Sequence, residues 1–232
     1  MDRNFSEALK LVLKHEGNFS DHPQDPGGAT MKGITLATFR RYIDAKATKD
    51  DLRHITQAQL ENVYRRHYWN AVKADDLPDG VDYACFDFAV NSGPSRAAKY
   101  LQAAVGVRQD GKIGQQTIAA VKSRVAPTVI HDLCDRRMAF LKGLKTWPTF
   151  RKGWTSRVTD VRAKALGMAA KSGLGNAEVT TPKPSIPKAP EPKTPDLVIT
   201  PPSPPAATPA APGWLSILLS IFKRSAPGGS GQ

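Results

Sequence analysis

The sequence FSEALKLVLKHEGNFSDHPQDPGGATMKGIT, residues 5–35, joins an amphipathic repeat to a segment that is unable to continue a helix. In its first part, side chains recur at the three- and four-residue spacing of one helix face: Phe5, Leu9, Val12, Leu13 and Glu16. Asn4 and Glu7 have the spacing of a capping box at the helix start. Prolines and glycines between positions 23 and 28 then exclude a continuing helix. We therefore predict a helix that ends near Glu16, followed by a turn-rich segment.

Further helices are predicted along the rest of the first 172 residues. Thr56 with Gln59 resembles a second capping box, which leads into QLENVYRRHYW. The apolar segment VDYACFDFAV, residues 81–90, ends at the stop signal Asn91-Ser92-Gly93-Pro94. Three more helices suit residues 97–105, 116–125 and 129–142. The pattern predicts a mainly helical body.

The composition changes near residue 173. Twelve of the 31 residues from 182 to 212 are proline. Proline removes backbone donors and favours an extended chain, so this segment is unable to build a packed core. We expect a disordered, semi-rigid linker over residues 173–213.

A short amphipathic segment, GWLSILLSIFKRS, follows the linker within residues 214–232. Its apolar run from Trp214 to Phe222 would rise only about 14 Å as a helix, roughly half of a bilayer core. One interpretation is an interfacial membrane anchor, with Lys223 and Arg224 facing anionic headgroups. The alternatives are a helix that binds a partner and a segment without function.

The positive charge is concentrated in the helical body. The chain carries +12 in total; five basic and three acidic residues lie beyond Ser172, a net of +2, which leaves +10 on residues 1–172. Such a charge favours polyanions, among them nucleic acid, anionic lipid and bacterial cell wall. No helix-turn-helix, RNA-recognition or zinc signature is present, so no nucleic acid partner is expected.

Cysteine usage and the N-terminus restrict the possibilities further. The two cysteines, Cys85 and Cys134, lie in no CxxC or Cys/His cluster, so we predict two buried free thiols and no metal site. The first 17 residues lack the apolar core and cleavage site of a signal peptide. We therefore expect synthesis in the cytoplasm without a signal peptide, and no run is long enough to span a bilayer.

Glu16 is the candidate for acid catalysis. Cleavage of a glycosidic bond needs a proton for the departing oxygen, and an apolar setting that raises the pKa of a carboxyl group makes it able to donate one near neutral pH. Glu16 lies on the core-facing side of its predicted helix, at the C-terminal end, where the helix dipole also disfavours a negative charge. The alternative is a glutamate that merely ends a helix beside a Gly17 cap.

The segment that begins at Glu16, EGNFSDHPQDPGGATMKGIT, resembles the catalytic motif of glycoside hydrolase family 108. These lysozyme-type N-acetylmuramidases are often found in phages and prophages. The matching positions are Glu16-Gly17, the aromatic Phe19, Asp25-Pro26-Gly27-Gly28, Thr30 and Gly33-Ile34-Thr35, whereas Asn18 replaces a second glycine. The resemblance implies that Glu16 is the catalytic acid and makes Phe19 a candidate substrate-binding residue.

A second resemblance concerns Asp25. Phage-type lysozymes place an aspartate nine residues after the catalytic glutamate, with a threonine shortly beyond. Asp25 has this spacing, and Thr30 and Thr35 follow it. The resemblance implies that Asp25 is the partner carboxylate and that a threonine positions water. Backbone amides in its Gly/Pro turn would keep Asp25 ionised, although a turn-capping aspartate is the alternative interpretation.

Two later stretches also resemble the family. Phe86-Asp87, Val90-Asn91 and Gly93 are similar to its FD-x-x-VN-x-G stretch, which implies that Asn91 binds a sugar N-acetyl group and that Asp87 lines a cleft. Alternatively, both residues stabilise the helix and its exit.

The other stretch, LQAAVGVRQDGKIGQQT at residues 101–117, is similar to small peptidoglycan-binding modules, except that Gln115 replaces a proline. Phe150, Gly153, Trp154 and Arg157 resemble the ending of the predicted peptidoglycan-binding region that accompanies family 108. Trp154 is either a sugar-stacking residue or a core residue.

These resemblances imply a mainly α, lysozyme-like α+β fold with a small loop or hairpin beside a cleft. We expect a catalytic region over residues 1–94 and a helical peptidoglycan-binding-like region over 95–172 packed on it, followed by the linker and the tail.

The expected function is hydrolysis of the β-1,4 bond between N-acetylmuramic acid and N-acetylglucosamine, by a monomer without metal or cofactor, with peptidoglycan as its partner. We expect it to act in the periplasm or cell wall after holin-type or other release. The alternative is a non-catalytic wall-binding or secretion-assisting protein on the same scaffold, in which Glu16 would be dispensable.

Overall fold

The computed structural model describes residues 4–21 and 28–173; the predicted linker and the segment from Trp214 to Arg224 lie outside the described residues. Nine α-helices and one hairpin lie within these ranges. In chain order the elements are α1 (Phe5–Leu13), β1 (Thr30–Met31), β2 (Ile34–Thr35), α2 (Leu36–Tyr42), α3 (Lys49–Arg53), α4 (Gln57–Tyr64), α5 (Val81–Ser92), α6 (Pro94–Ala104), α7 (Gln115–Lys122), α8 (Ala126–Lys142) and α9 (Trp147–Gly173). A π-helical segment, Arg65–Trp69, and two 3₁₀ turns, Asn70–Val72 and Ala74–Asp76, connect α4 to α5.

The hairpin is short and antiparallel, with Thr30 opposite Thr35 and Met31 opposite Ile34. Its two turn residues, Lys32 and Gly33, have φ angles of 45° and 75°, as two-residue hairpin turns require. An additional bridge joins Ser20 to Thr30, so the chain that leaves α1 is tied to β1. The prediction of a mainly helical chain with a small hairpin is confirmed.

Helix α5 is the centre of the fold, since all twelve of its residues are buried. Helices α1, α6, α8 and α9 pack around it. The approach of α9 is especially close at Gly80, where a Cβ would lie 2.1 Å from the carbonyl oxygen of Ala165. Only glycine therefore allows the start of α5 to lie against α9.

Helix α9 spans 27 residues and closes the core on one side. Its buried side chains follow a helical spacing: Trp154, Arg157, Val158, Val161, Ala165 and Met168. Together with residues from α1 onward they form one hydrophobic core. In the described part of the chain, no helix has the length and apolar character needed to cross a membrane.

Most local predictions agree with the structure. The capping box of Thr56 and Gln59 is present, and α5 ends at Gly93. Cys85 and Cys134 are buried free thiols, as predicted. The capping box at Asn4 is wrong: its side chain makes no cap. Nδ2 of Asn4 instead donates to Asp79 and Asp82, at 2.7 and 2.8 Å, and these charge-assisted bonds fix the orientation of the amide group.

Candidate active site

Glu16 lies in the turn that follows α1, where its backbone amide donates to the carbonyl of Leu13 at 3.3 Å. Its side chain is 0% exposed. One carboxyl oxygen, Oε1, accepts a hydrogen bond from Nη1 of Arg157 at 2.9 Å, and Oε2 has no hydrogen-bond partner among the described residues. The setting therefore differs from the purely apolar one expected from the sequence, because a buried guanidinium lies against the carboxyl group.

The hairpin and α4 enclose the carboxyl group of Glu16 from another side. Gly33 in the hairpin turn lies directly against it. The hydroxyl of Tyr64 donates to the carbonyl oxygen of Lys32 at 2.7 Å, which fixes the turn in place. Burial, and secondarily the charge of Glu16, raise the pKa of Tyr64 well above its usual value. Tyr64 therefore remains a protonated donor at neutral pH.

Arg157 links Glu16 to a second buried carboxylate. Its Nε lies 3.1 Å from both oxygens of Asp87, and its Nη2 lies 2.9 Å from Oδ2 of Asp87. Burial alone would lower the pKa of Arg157, but Asp87 and Glu16 outweigh that effect and raise it. The guanidinium is therefore a permanent cation with one edge on Asp87 and the remaining amino group on Glu16.

Arg137 completes this buried cluster of charges. It donates from Nη1 to Oδ1 of Asp87 at 2.7 Å and from Nη2 to the Asn91 side chain at 3.1 Å. Burial would raise the pKa of Asp87, but Arg157 and Arg137 together lower it to about 2. Asp87 is consequently ionised at neutral pH and holds both arginines.

Three of the predicted substrate-binding residues lie in the interior. Asp87, Asn91 and Trp154 are 0, 1 and 2% exposed, so they offer no surface to a glycan in this structure. Asp87 and Asn91 are hydrogen-bonded to arginines, and Trp154 packs against Phe150 with ring centroids 5.4 Å apart. A direct sugar contact by any of the three stays a prediction. The alternative of a packing role agrees with all three positions.

The remaining predicted residues lie on or near the hairpin. Thr30 donates to the carbonyl of Gly28 at 3.1 Å, and Thr35 caps α2 by accepting from the amide of Thr38 at 3.2 Å. Phe19 is half-buried, with the guanidinium carbon of Arg53 4.3 Å from its ring centroid. Asp25 lies outside the described residues. A water-positioning role for either threonine stays a prediction.

The stretch similar to small peptidoglycan-binding modules is organised around Gln102. Its Nε2 donates to Asp110, to the carbonyl of Lys112 and to Thr117 at 2.7, 3.1 and 3.2 Å, and its Oε1 accepts from the amide of Gly111 at 2.9 Å. Gln102 is 2% exposed. The polar residues of this pattern therefore hold a loop together, because a buried amide group requires hydrogen-bond partners.

Two family models and a solved structure are similar to this chain. The family model described as glycosyl hydrolase 108 matches residues 9–93, and one described as a predicted peptidoglycan domain matches residues 96–159. The solved structure of Brucella abortus SagA is 50% identical to this chain, with a TM-score of 0.68; the match covers 75% of this chain and 99% of that chain. The chain belongs to glycoside hydrolase family 108. No curated protein matches it.

Membership of family 108 makes the chain a glycoside hydrolase, and the second match assigns peptidoglycan as its partner polymer. The family 108 motifs predict Glu16 as the candidate acid but do not indicate the two arginines of the buried charge cluster. Arg157 belongs to the last of these motifs, whereas Arg137 lies in none of them. A signal for Arg157 was present, since it interrupts the apolar spacing of α9 at a position that must face the core.

Proposed function

We propose that this protein is an N-acetylmuramidase, which hydrolyses the β-1,4 bond between N-acetylmuramic acid and N-acetylglucosamine with Glu16 as general acid. The observation that supports the proposal is the carboxyl group of Glu16, buried at the end of α1 and held through Oε1 by Arg157. Oε2 has no partner in the described part of the chain and is the oxygen that carries the proton for the departing sugar.

The environment of Glu16 restricts the position of this acid. Arg157 fixes Oε1, so Oε2 has a defined direction. Asp87 in turn holds the other edge of the Arg157 guanidinium, at 2.9 Å. Since the Glu16 side chain has no exposed surface in this structure, a glycan reaches Oε2 only when the atoms that cover it move aside.

We propose Asp25 as the second carboxylate, on the strength of its nine-residue spacing from Glu16. In an inverting enzyme it would activate water and stand about 6.5–9.5 Å from Glu16; in a retaining one it would attack the sugar from about 5–5.5 Å. The anomeric configuration of the first product distinguishes the two, and Asp25→Asn should abolish turnover while leaving folding intact.

Digestion of purified peptidoglycan tests the muramidase proposal. The wild-type protein should release fragments whose reducing ends, identified by mass spectrometry, are N-acetylmuramic acid. Glu16→Gln keeps the shape and one hydrogen-bonding oxygen but has no acidic proton, so it should be inactive. Glu7→Gln is the matched control, because Glu7 is exposed on α1, the helix that precedes Glu16, and this variant should retain full activity.

Two outcomes would overturn the proposal. Reducing ends of N-acetylglucosamine would assign a different bond. A Glu16→Gln variant that digests at the wild-type rate, or a wild-type protein that binds the wall and releases no fragments, would favour a non-catalytic wall-binding or secretion-assisting role.

The site of action follows as part of the same proposal. A peptidoglycan hydrolase meets its substrate in the periplasm or cell wall, and we propose that this one arrives there by holin-type or other release. Fractionation of producing cells before and after lysis tests this: activity should be held in the cytoplasm first and reach the wall fraction only on release.

A further inference from the structure

The buried charges around Glu16 come from both matched regions of the chain. Glu16 and Asp87 lie within residues 9–93, whereas Arg137 and Arg157 lie within residues 96–159. We propose that residues 96–159 complete the catalytic centre, with Arg157 as the positioning residue for Glu16, and do not form a separate wall-binding module. This inference rests on the proposed function of Glu16.

The packing supports a single unit. One hydrophobic core runs from Phe5 in α1 to Met168 in α9, and α5 contacts α8 and α9 as well as α1. The features of residues 96–159 that suggested sugar binding face inward: Trp154 is 2% exposed, and the Gln102 side chain is occupied within its own loop. This region therefore supplies core and charge to the site.

The hydrogen bonds give Arg157 a specific geometric task. Nε and Nη2 fix the plane of its guanidinium against Asp87, and Nη1 then points at Oε1 of Glu16. Arg137 fixes Asp87 in turn. A lysine at position 157 would keep the positive charge. Its side chain is shorter and ends in a single ammonium group, so it could not bind both carboxylates at these positions.

The ionisable side chains around Glu16 and its partner Arg157 come from five elements and from the turn that holds Glu16. They are Tyr64 of α4, Tyr68 of the π-helical segment, Tyr83 and Asp87 of α5, Arg137 of α8, Arg157 and Asp160 of α9, and His15 of the turn, which lies 3.4 Å from Asp160. The tyrosines stay protonated, because burial raises the pKa of each. The charged groups linked to Glu16 by hydrogen bonds are Arg157 and, beyond it, Asp87 and Arg137.

Two variants change this balance in opposite directions. In Arg157→Lys the single ammonium pairs with Asp87 and no longer contacts Glu16, so the buried carboxyl group is expected to keep its proton to higher pH. Asp87→Asn removes a negative charge and leaves the arginines, so Glu16 loses its proton at lower pH. The alkaline limb of the pH–activity profile should move up by about one pH unit in the first variant and down in the second. A merely structural role would not move the limb in opposite directions.

The kinetic test uses the full chain and a soluble peptidoglycan fragment. Arg157→Lys should lose on the order of tenfold to a hundredfold in kcat, because the acid is misplaced, with little change in KM. In a Glu16→Gln background, Arg157→Lys should bind insoluble peptidoglycan as well as its parent does. Arg162→Lys, on the same helix in a surface ion pair with Asp135, is the matched control and should behave as wild type.

Opposite results overturn the inference in distinguishable ways. A wild-type kcat and pH profile in Arg157→Lys would contradict this inference and leave the muramidase proposal in place. A loss of wall binding that matches the loss of activity would do the same. Full activity in Glu16→Gln would remove the proposed function, and this inference with it.

A measurement on the wild-type chain covers the case in which a variant fails to fold. Hydrogen exchange across a urea series should give the slowest amides of α5 and α9 the same opening free energy and urea dependence, as one cooperative unit requires. An α9 that opens at lower urea than α5 would indicate a separate module and overturn the inference.

Discussion

Gly33 and Glu16 are in such close contact that a Cβ on Gly33 would lie 2.8 Å from Oε2 of Glu16 and 2.9 Å from the hydroxyl of Tyr64. The glycine is therefore required twice, once by its φ of 75° and once by the carboxyl group beside it. The hairpin turn brings backbone, in place of a side chain, against the oxygen to which we assign the proton transfer. This contact makes the hairpin part of the site.

The first prediction compares two glycines of this segment. Gly33→Ala should reduce kcat on the order of a hundredfold, because the new methyl group displaces the carboxyl group of Glu16. Gly28→Ala is the matched control, since Gly28 also has a positive φ of 68° but has open space around its Cβ position. Both should lose about 1–2 kcal/mol of folding stability. Similar kcat values for the two variants would contradict the assigned contact.

The second prediction concerns Trp154, which packs between Trp147 and Phe150 at centroid distances of 6.2 and 5.4 Å. Trp154→Phe should lower the free energy of unfolding by about 1–3 kcal/mol through the cavity it leaves. Its indole nitrogen has no hydrogen-bond partner in the described structure, so no acceptor is left unsatisfied. Binding to insoluble peptidoglycan, measured below the unfolding transition in a Glu16→Gln background, should not change. Weaker binding to peptidoglycan at unchanged stability would instead favour the interpretation that Trp154 stacks on a sugar.

The third prediction tests Gln102 as the centre of its loop. Gln102→Ala removes four hydrogen bonds, among them the one to the buried hydroxyl of Thr117, which should cost about 2–4 kcal/mol in urea unfolding. Gln116→Ala, an exposed glutamine in α7, is the control and should stay within about 0.5 kcal/mol of wild type. Reduced wall binding in Gln102→Ala without loss of stability would instead indicate a ligand contact.

The fourth prediction is a pH dependence of stability that originates at Asp82. Burial raises the pKa of Asp82 to about 6, against the hydrogen bonds from Asn4 and from the amide of Tyr83, and Asp79 adds to the increase. Because the folded state binds this proton more tightly than the unfolded state, its contribution is fully present below about pH 4 and is lost as the pH rises through 6.

The size of this effect is at most about 3 kcal/mol, from two pKa units at about 1.4 kcal/mol each. Chemical unfolding at a series of pH values should therefore show a decrease in stability between pH 4 and 6 in the wild type and a smaller one in Asp82→Asn. An identical pH dependence in both proteins would show that Asp82 carries no raised pKa.

Local spacing was enough to predict much of the helical structure. The Thr56–Gln59 capping box and the Gly93 stop depend on residues a few positions apart, and both are present. The hairpin beside Glu16 agrees with the loop or hairpin that the family resemblance implies. Helix α9 was missed because Pro148, Gly153 and Gly167 weaken its helical signal, although its buried side chains keep a regular spacing. The cap at Asn4 was wrong because two distant carboxylates compete for its amide group.

The sequence by itself determined the family and the helices that carry most of the fold, and it singled out Glu16 as the candidate acid, because these follow from short motifs and from the periodicity of apolar residues. Only the tertiary structure decided what surrounds that glutamate. Arg157 is 141 positions from Glu16 and 70 from Asp87, and their pairing depends on how α9 packs against α5 and meets the turn that holds Glu16. Burial then makes each charge require a partner, and no local pattern specifies which distant residue provides it.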